Sequence, residues 1–161
     1  VSPKRNPLRL CSGSSFGRLM DAGLDKLVVI GVRDFANSSY HIDKANSRKT
    51  DVHIIPAYEL SMRTVDAIVG EALAFCRSSE NIYLSIDMDV ADQSKAPGVS
   101  APTAGGLSIR EIMVGVREMC QNQKIKAIDI TEVSPPMDEH DQTIRAAATV
   151  LASALAGLGS R

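Results

Sequence analysis

Asp87 and Asp89 are the two residues whose type and spacing point most directly to chemistry, because they follow the apolar run at residues 82–86. Side chains two positions apart on a strand point to one side, which puts the two carboxylates about 6 to 7 Å apart along the chain. Carboxylates at an apolar strand end repel each other and lose hydration, so one takes up a proton or a cation lies between them. A hard cation with oxygen ligands is the simplest remedy. On spacing alone, a metal site and a solvated turn fit the pair equally well.

The Asp-x-Asp pattern also serves two unrelated kinds of enzyme. In haloacid dehalogenase-type phosphatases Asp87 would be the nucleophile and Asp89 the acid and base, whereas sugar-nucleotide transferases use such a pair to bind a metal. The phosphatase pair usually lies near the start of the chain, with a later lysine and paired acids. Here the pair lies past the midpoint and runs into a Pro-Gly loop at residues 97–98. Context beyond the pair must decide between these chemistries.

The elements that position the pair follow from hydrophobic periodicity. Short apolar runs predict strands that are buried on both faces, at residues 27–32, 53–55, 82–86 and 127–130. Apolar residues at steps of three and four predict a helix over residues 61–76. A capping box of Ser108 and Glu111 starts the next helix, which runs to about Cys120. The last helix is predicted to begin near Asp141 and to stop near Gly157, with its inward side chains at Ile144, Ala147, Val150, Leu151, Ala154 and Leu155.

Strands that alternate with helices predict an α/β fold, a three-layer αβα sandwich with a mostly parallel sheet covered on both sides. In such sheets ligands bind beyond the carboxyl ends of the strands. The residues found there are Arg33 and Asp34 after the first run, Asp87 and Asp89 after the third, and residues 132–136 after the fourth. We therefore look for ligand-binding residues among these charged strand ends.

Composition limits the classes of partner. The 161 residues suit one domain and carry a formal net charge of -1, so we expect no nucleic acid as a partner. No apolar run is long enough to cross a bilayer, and the three cysteines have no metal-type spacing. These features favour a cytoplasmic protein with reduced thiols, no membrane attachment and a small-molecule substrate.

A long and specific resemblance surrounds the aspartate pair. Residues 85–92, with the Ala-Pro-Gly-Val-Ser-Ala-Pro stretch at 96–102 and the Gly-Gly-Leu-Ser at 105–108, resemble a signature of the ureohydrolase superfamily of arginases, agmatinases and formimidoylglutamases. The resemblance implies an arginase-like fold and implies that Asp87 and Asp89 bind part of a pair of Mn²⁺ ions, which activate water for attack on an amidine carbon. Gln93 departs from the family, which often has a proline at that position.

Two further stretches extend the resemblance downstream. Residues 129–135 resemble the family's strand ending in a glutamate that grips the amidine or guanidine group, so the resemblance gives Glu132 a substrate-binding, catalytic role. The chemistry suits a carboxylate, which accepts two parallel hydrogen bonds from a planar N-C-N cation. Asp129, inside an apolar run, is interpreted either as a hydrogen-bond acceptor behind the metal ligands or as an acceptor for a local donor. Residues 138–151 resemble the family's closing helix.

The substrate is suggested by the start of the chain. Residues 12–16 resemble the family's His-Gly-Thr-Pro-Phe segment with Ser12 in place of the histidine, which is more like the formimidoylglutamase branch. Asn37, in the Ala-Asn-Ser that follows the first strand, also resembles the formimidoylglutamase branch. Ser12 and Asn37 are thus predicted substrate contacts, with Arg33 as a further one. The resemblance implies N-formimidoyl-L-glutamate as substrate, with arginine or agmatine as the alternative.

The motifs that the sequence lacks limit this interpretation. The family's earlier histidine motif and its Asp-x-His-x-Asp motif do not occur, and His41, His53 and His140 lack the neighbours that would let them substitute. We therefore expect residues 1–161 to be a single partial domain, the C-terminal half of an arginase-like fold, and to be inactive alone. A noncatalytic module of the same fold is the alternative. The resemblance also implies a homo-oligomer.

Overall fold

Helices and strands alternate along the residues described by this computed structural model, which are 14–33 and 49–161. In chain order the elements are α1 (Ser15–Asp21), β1 (Lys26–Val32), β2 (Asp51–Pro56), α2 (Val65–Phe75), β3 (Ile82–Asp87), α3 (Ile109–Gln121), β4 (Ile125–Thr131) and α4 (Gln142–Gly159). Short 3-10 helices lie at Ala57–Ser61, Met88–Val90 and Pro135–Met137. The alternation confirms the predicted α/β class. No helix in these two ranges is long and apolar enough to cross a membrane.

The strands pair in parallel, as predicted, but form two two-stranded sheets within the described residues. Strand β1 pairs with β2 and β3 pairs with β4, with Asp87 opposite Thr131 at the end of the second pair. Side chains and loops link the two pairs, most directly through Arg33, which follows β1 and reaches the loop after β3. Because Asp87 lies opposite Thr131, the next residue, Glu132, is placed beside the aspartate pair.

Helices cover both faces of the β1–β2 pair. Met20 of α1 packs against Leu27 on one face, and Phe75 of α2 stacks on His53 on the other face. The expectation of strands buried on both faces is not met at β3, where Tyr83 is half exposed. The layered arrangement agrees with the predicted αβα sandwich, and the burial of the strand faces is less complete than their apolar sequences suggested.

The main core lies between the β3–β4 pair and helices α3 and α4. Its buried members come from the strand end, the following loop and both helices: Ile86, Met88, Ala91, Ala96, Val99, Leu107, Ile112, Val116, Cys120, Val150 and Ala154. The predicted capping box at the start of α3 is confirmed, since Glu111 N donates to Ser108 Oγ and Ser108 N donates to Glu111 Oε2. The loop that carries Asp89 is therefore packed into the core at both of its ends.

The helix predicted over residues 61–76 begins later, at Val65. Thr64 is its N-cap residue and accepts a hydrogen bond from Ala67 N, which satisfies an otherwise unpaired donor of the first turn. The preceding residues form the 3-10 helix Ala57–Ser61, and Met62, which we expected on the buried face, is 70% exposed. A cap that competes with the apolar periodicity explains the difference.

The inward face of α4 also differs from the prediction. Thr143, Val150, Ala154 and Gly157 are buried, whereas Ile144, Leu151 and Leu155 are 37%, 42% and 56% exposed. Gly157 is not the end of the helix. A Cβ there would overlap the backbone of Arg117 in α3, so the smaller side chains face α3 and allow the two helices to approach closely.

This close approach gives a prediction about packing. Gly157→Ala is expected to destabilise the protein by about 1–3 kcal/mol, because the added methyl group must push α4 away from α3. Gly159→Ala on the same helix is the matched control, since nothing lies within 4 Å of its Cβ position. Urea unfolding of both variants measures the difference. Equal stability of the two variants would show that the helices do not meet at Gly157.

Candidate metal and substrate site

Backbone amides orient both aspartates of the pair. Asp87 ends β3, and its Oδ1 accepts a hydrogen bond of 2.9 Å from Asp89 N. Asp89 lies in the 3-10 helix Met88–Val90, and its Oδ1 accepts from Ala101 N at 3.0 Å. Both residues therefore hold defined positions at the carboxyl end of the strand, as the rule for parallel sheets leads one to expect.

The carboxylates of Asp87 and Asp89 are destabilised in their charged forms. Although Asp87 is exposed at the surface, desolvation by the protein around its carboxylate raises its pKa to about 6, and the charges of Asp89 and Glu132 add to the rise. Desolvation and the charge of Glu132 also raise the pKa of Asp89, while Arg33 opposes the rise in both. Acidic oxygens that resist ionisation together are the donors that a hard divalent cation stabilises. The pair fits such a cation.

The pair is a partial ligand set within residues 14–33 and 49–161. No group of three or more histidine, cysteine, aspartate or glutamate side chains in these ranges could hold a metal ion. His53 is engaged elsewhere, since its Nε2 lies 2.6 Å from Glu71 Oε1, and His140 is exposed next to α4. A metal bound by Asp87 and Asp89 needs ligands from outside this set.

Glu132 lies beside the pair in an unusual backbone conformation. It follows Thr131, the residue opposite Asp87, and its φ of 63° is in the left-handed region that residues with a side chain rarely adopt. Ser100 N donates to the carbonyl oxygen of Glu132 at 3.1 Å. Strain of this kind persists only where surrounding contacts hold it, and it concentrates at functional sites. The geometry places Glu132 close enough to influence both aspartates without joining them as a third ligand.

Arg33 supports the loop that carries Asp89. Its guanidinium donates to the carbonyl oxygens of Asp89 at 2.5 Å, Thr103 at 3.1 Å and Ala91 at 3.4 Å. The sequence suggested a substrate contact for Arg33, and in the structure its guanidinium hydrogen bonds to these three backbone carbonyls. Ser12 and Asn37, the other predicted substrate contacts, lie outside the described residues.

Asp92 closes the same loop, which the sequence did not indicate. The side chain and backbone amide of Ser94 and the amides of Gly105 and Gly106 hydrogen bond to its carboxylate, and they lower its pKa to about 2. The loop is therefore closed by Asp92 even though Gln93 stands where the family often has a proline. An Asp followed two residues later by Ser is a local turn signal that could have predicted part of this arrangement.

Of the two roles that the sequence left open for Asp129, the structure shows the contact with a local donor. The hydroxyl of Tyr83 on β3 donates to Asp129 Oδ2, and this carboxylate raises the pKa of Tyr83 to about 12. Its Oδ1 is buried and has no hydrogen-bond partner among the described residues. Asp129 thus contacts a strand neighbour and lies apart from the aspartate pair.

The raised pKa of Asp87 predicts a pH dependence of stability in the metal-free chain. Because the folded-state pKa of about 6 exceeds the unfolded value, the folded state binds the proton more tightly, and stability is lost as pH rises from about 4 to 6. Asp87→Asn is expected to flatten this change. Because the side chain is partly exposed to solvent, the expected gain in unfolding free energy at pH 7 is limited to about 1 kcal/mol, which corresponds to a rise in Tm of about 2–4 °C. Thermal unfolding between pH 4 and 8 measures it; a variant with the wild-type slope would contradict it.

Comparison with known proteins defines the class to which this fold and site belong. The model of the arginase family matches residues 2–157. The chain therefore belongs to the arginase family, which confirms the resemblance and the arginase-like fold.

Within that family the chain is similar to formimidoylglutamases. It is 35% identical over 151 residues to the formimidoylglutamase of Halalkalibacterium halodurans, covering 91% of this chain and 47% of that protein. The crystal structure of Bacillus subtilis formimidoylglutamase is 33% identical with a TM-score of 0.87, over 97% of this chain and 50% of that one. The arginase structure of Bacillus caldovelox is 28% identical with a TM-score of 0.68, over 81% of this chain and 42% of that one. The chain spans about half the length of the curated relatives it matches.

Proposed function

We propose that this chain is the C-terminal half of a manganese-dependent hydrolase that converts N-formimidoyl-L-glutamate and water to L-glutamate and formamide. The observation that carries the proposal is the placement of Glu132 beside Asp87 and Asp89 at the ends of two paired strands. The similarity to formimidoylglutamases supports the choice of substrate. The complete enzyme would be cytoplasmic, as the composition suggests, and a homo-oligomer, as the family resemblance implies.

Asp87 and Asp89 would hold manganese together with ligands from the rest of the enzyme. Two Mn²⁺ ions would supply Lewis-acid activation of a water molecule at neutral pH. The donor chemistry supports this assignment, because both carboxylates are fixed by backbone amides and both have raised pKa values. Loss of the protons from these carboxylates accompanies metal binding.

Glu132 would bind the substrate's amidinium group. A carboxylate that accepts two parallel hydrogen bonds from a planar N-C-N group fixes its central carbon in place. The pairing of β3 with β4, in which Asp87 lies opposite Thr131, holds the backbone of Glu132 next to Asp87. Binding energy at this residue therefore aligns the carbon with the activated water.

Two alternatives remain open. A guanidine hydrolase of the arginase or agmatinase type is favoured by the similarity to arginases, and a noncatalytic module is favoured by the partial ligand set within the described residues. Membership of the arginase family removes the support for an Asp-x-Asp phosphatase. The substrate assay separates the first two from the proposal.

The test compares substrates on the complete enzyme loaded with manganese. We expect release of glutamate and formamide from N-formimidoyl-L-glutamate, with a kcat/KM about a hundredfold or more above that for arginine or agmatine. Release of urea from arginine at the higher rate would favour the guanidine hydrolase. Hydrolysis of none of the three would leave the noncatalytic module.

A further inference from the structure

The segment Gly98 to Ala101 connects both halves of the candidate site. At one end Ala101 N donates to Asp89 Oδ1 at 3.0 Å. One residue earlier, Ser100 N donates to the carbonyl oxygen of Glu132 at 3.1 Å. Successive amides of one short segment therefore contact the predicted metal ligand and the predicted substrate ligand.

The same segment pairs through its backbone with the residues that follow β4. Val99 forms an antiparallel bridge with Val133, and Ser134 N donates to the carbonyl oxygen of Gly98 at 2.8 Å. Val99 is fully buried in the main core. The hydrogen bonds from Ser134 N and from Ser100 N lie on either side of the Val99–Val133 bridge, so together they fix the backbone where it meets Glu132.

Thr143 anchors the segment to helix α4. Its Oγ1 accepts a buried hydrogen bond of 2.8 Å from Gly98 N, and the residue is 0% exposed. Gly98 lies so close to Asp138 that a Cβ would overlap it. Asp138 in turn accepts a hydrogen bond from Thr143 N at 3.0 Å. The hydroxyl of Thr143 lies on the buried face of α4 and accepts from the amide of Gly98, so it holds the segment against the helix.

We propose that the segment Gly98 to Ala101 sets the spacing between Asp89 and Glu132, and that Thr143 is a positioning residue for the reaction because it anchors this segment. The proposal rests on the proposed function. The left-handed backbone of Glu132 makes the anchor consequential, because this conformation relaxes when the contacts that hold it are loosened. As a positioning residue, Thr143 would act through the segment and not by direct contact with the metal or the substrate.

The substitution that tests the anchor is Thr143→Val, which keeps the shape of the side chain and removes the hydroxyl. The matched control is Thr149→Val on the exposed side of the same helix, where Oγ1 donates to the carbonyl oxygen of Arg145. Thr143→Ser restores the hydroxyl and serves as the rescue variant.

Amide hydrogen exchange of the full chain tests the anchor without any substrate. In Thr143→Val the amides of Gly98, Ser100 and Ala101 are expected to exchange about tenfold faster, while that of Ile130 in β4 keeps its protection. Thr143→Ser and Thr149→Val are expected to retain the slow exchange. Unchanged exchange at Ser100 and Ala101 in Thr143→Val would overturn the anchor, whether or not the proposed substrate is correct.

Kinetics of the complete enzyme at saturating manganese and 25 °C test the positioning role. Thr143→Val is expected to lower kcat/KM about tenfold, chiefly through KM, because Glu132 holds the substrate before the reaction as well as during it. Thr143→Ser is expected to recover most of the loss. A lower Tm with wild-type kcat and KM would reduce Thr143 to a structural role and overturn the proposal.

A second variant covers the case in which Thr143→Val does not fold. Ser100→Pro removes, at an exposed position, the amide that contacts both the carbonyl oxygen of Glu132 and the carboxylate of Asp89. The same rise in KM is expected, and unchanged KM and kcat would overturn the proposal. A wild-type enzyme without activity on N-formimidoyl-L-glutamate contradicts the proposed function instead, and the exchange measurement then decides about the anchor alone.

Discussion

Alanine at Asp87 or at Asp89 is expected to abolish hydrolysis by the complete enzyme, with a loss of more than about a thousandfold in kcat/KM. Each substitution removes a carboxylate from a pair in which both members are fixed by backbone amides and crowded by negative charge. Bound manganese is expected to fall with activity. Elemental analysis of the purified variants, alongside steady-state kinetics, measures both quantities.

The control for this prediction is Asp66→Ala, which removes an exposed carboxylate from the first turn of α2. It is expected to keep wild-type turnover and metal content. Manganese content and turnover that survive in Asp87→Ala or Asp89→Ala would show that the pair is not the metal site and that the solvated-turn interpretation is correct.

Glu132→Gln is expected to have the second largest effect, a fall in kcat/KM of about a hundredfold to a thousandfold. The amide keeps the shape of the side chain but loses the charge and one of the two acceptors for the amidinium group, and each charge-assisted hydrogen bond contributes about 1.5–3 kcal/mol. The expected pattern is a raised KM with manganese retained. The pKa values of Asp87 and Asp89 are expected to fall, because the charge of Glu132 raises both.

Kinetics, metal analysis and an NMR titration of the two aspartates in the metal-free chain measure these effects. Glu80→Gln, at an exposed glutamate just before β3, is the matched control. A KM equal to that of the wild type would remove Glu132 from the substrate site. Loss of manganese instead would make Glu132 a metal ligand.

Features that depend on neighbouring residues could be predicted from the sequence. The four strands, the capping box at Ser108 and the start of the last helix follow from local periodicity and local hydrogen bonding. Asp87 and Asp89 stood out because the alternation of a strand places both carboxylates on one side. Glu132 was found differently, through its family resemblance, since one glutamate after a strand carries no signal of its own.

Features that depend on distant contacts could not be predicted. Arg33 contacts Asp89 across 56 positions of sequence, and Gly98 contacts Thr143 across 45. The rotation of α4, which buries small residues and exposes Leu155, is set by its approach to α3 at Gly157. An apolar stripe predicts that a helix is amphipathic, but the neighbouring helix determines which residues of the stripe are buried.

The most direct test of the central claim is anomalous diffraction at the manganese edge from crystals of the complete enzyme grown with Mn²⁺. We expect manganese peaks within bonding distance of the carboxylates of Asp87 and Asp89, with Glu132 nearby but not coordinated. Peaks only at other residues, or none at this pair in an active manganese-loaded enzyme, would contradict the account.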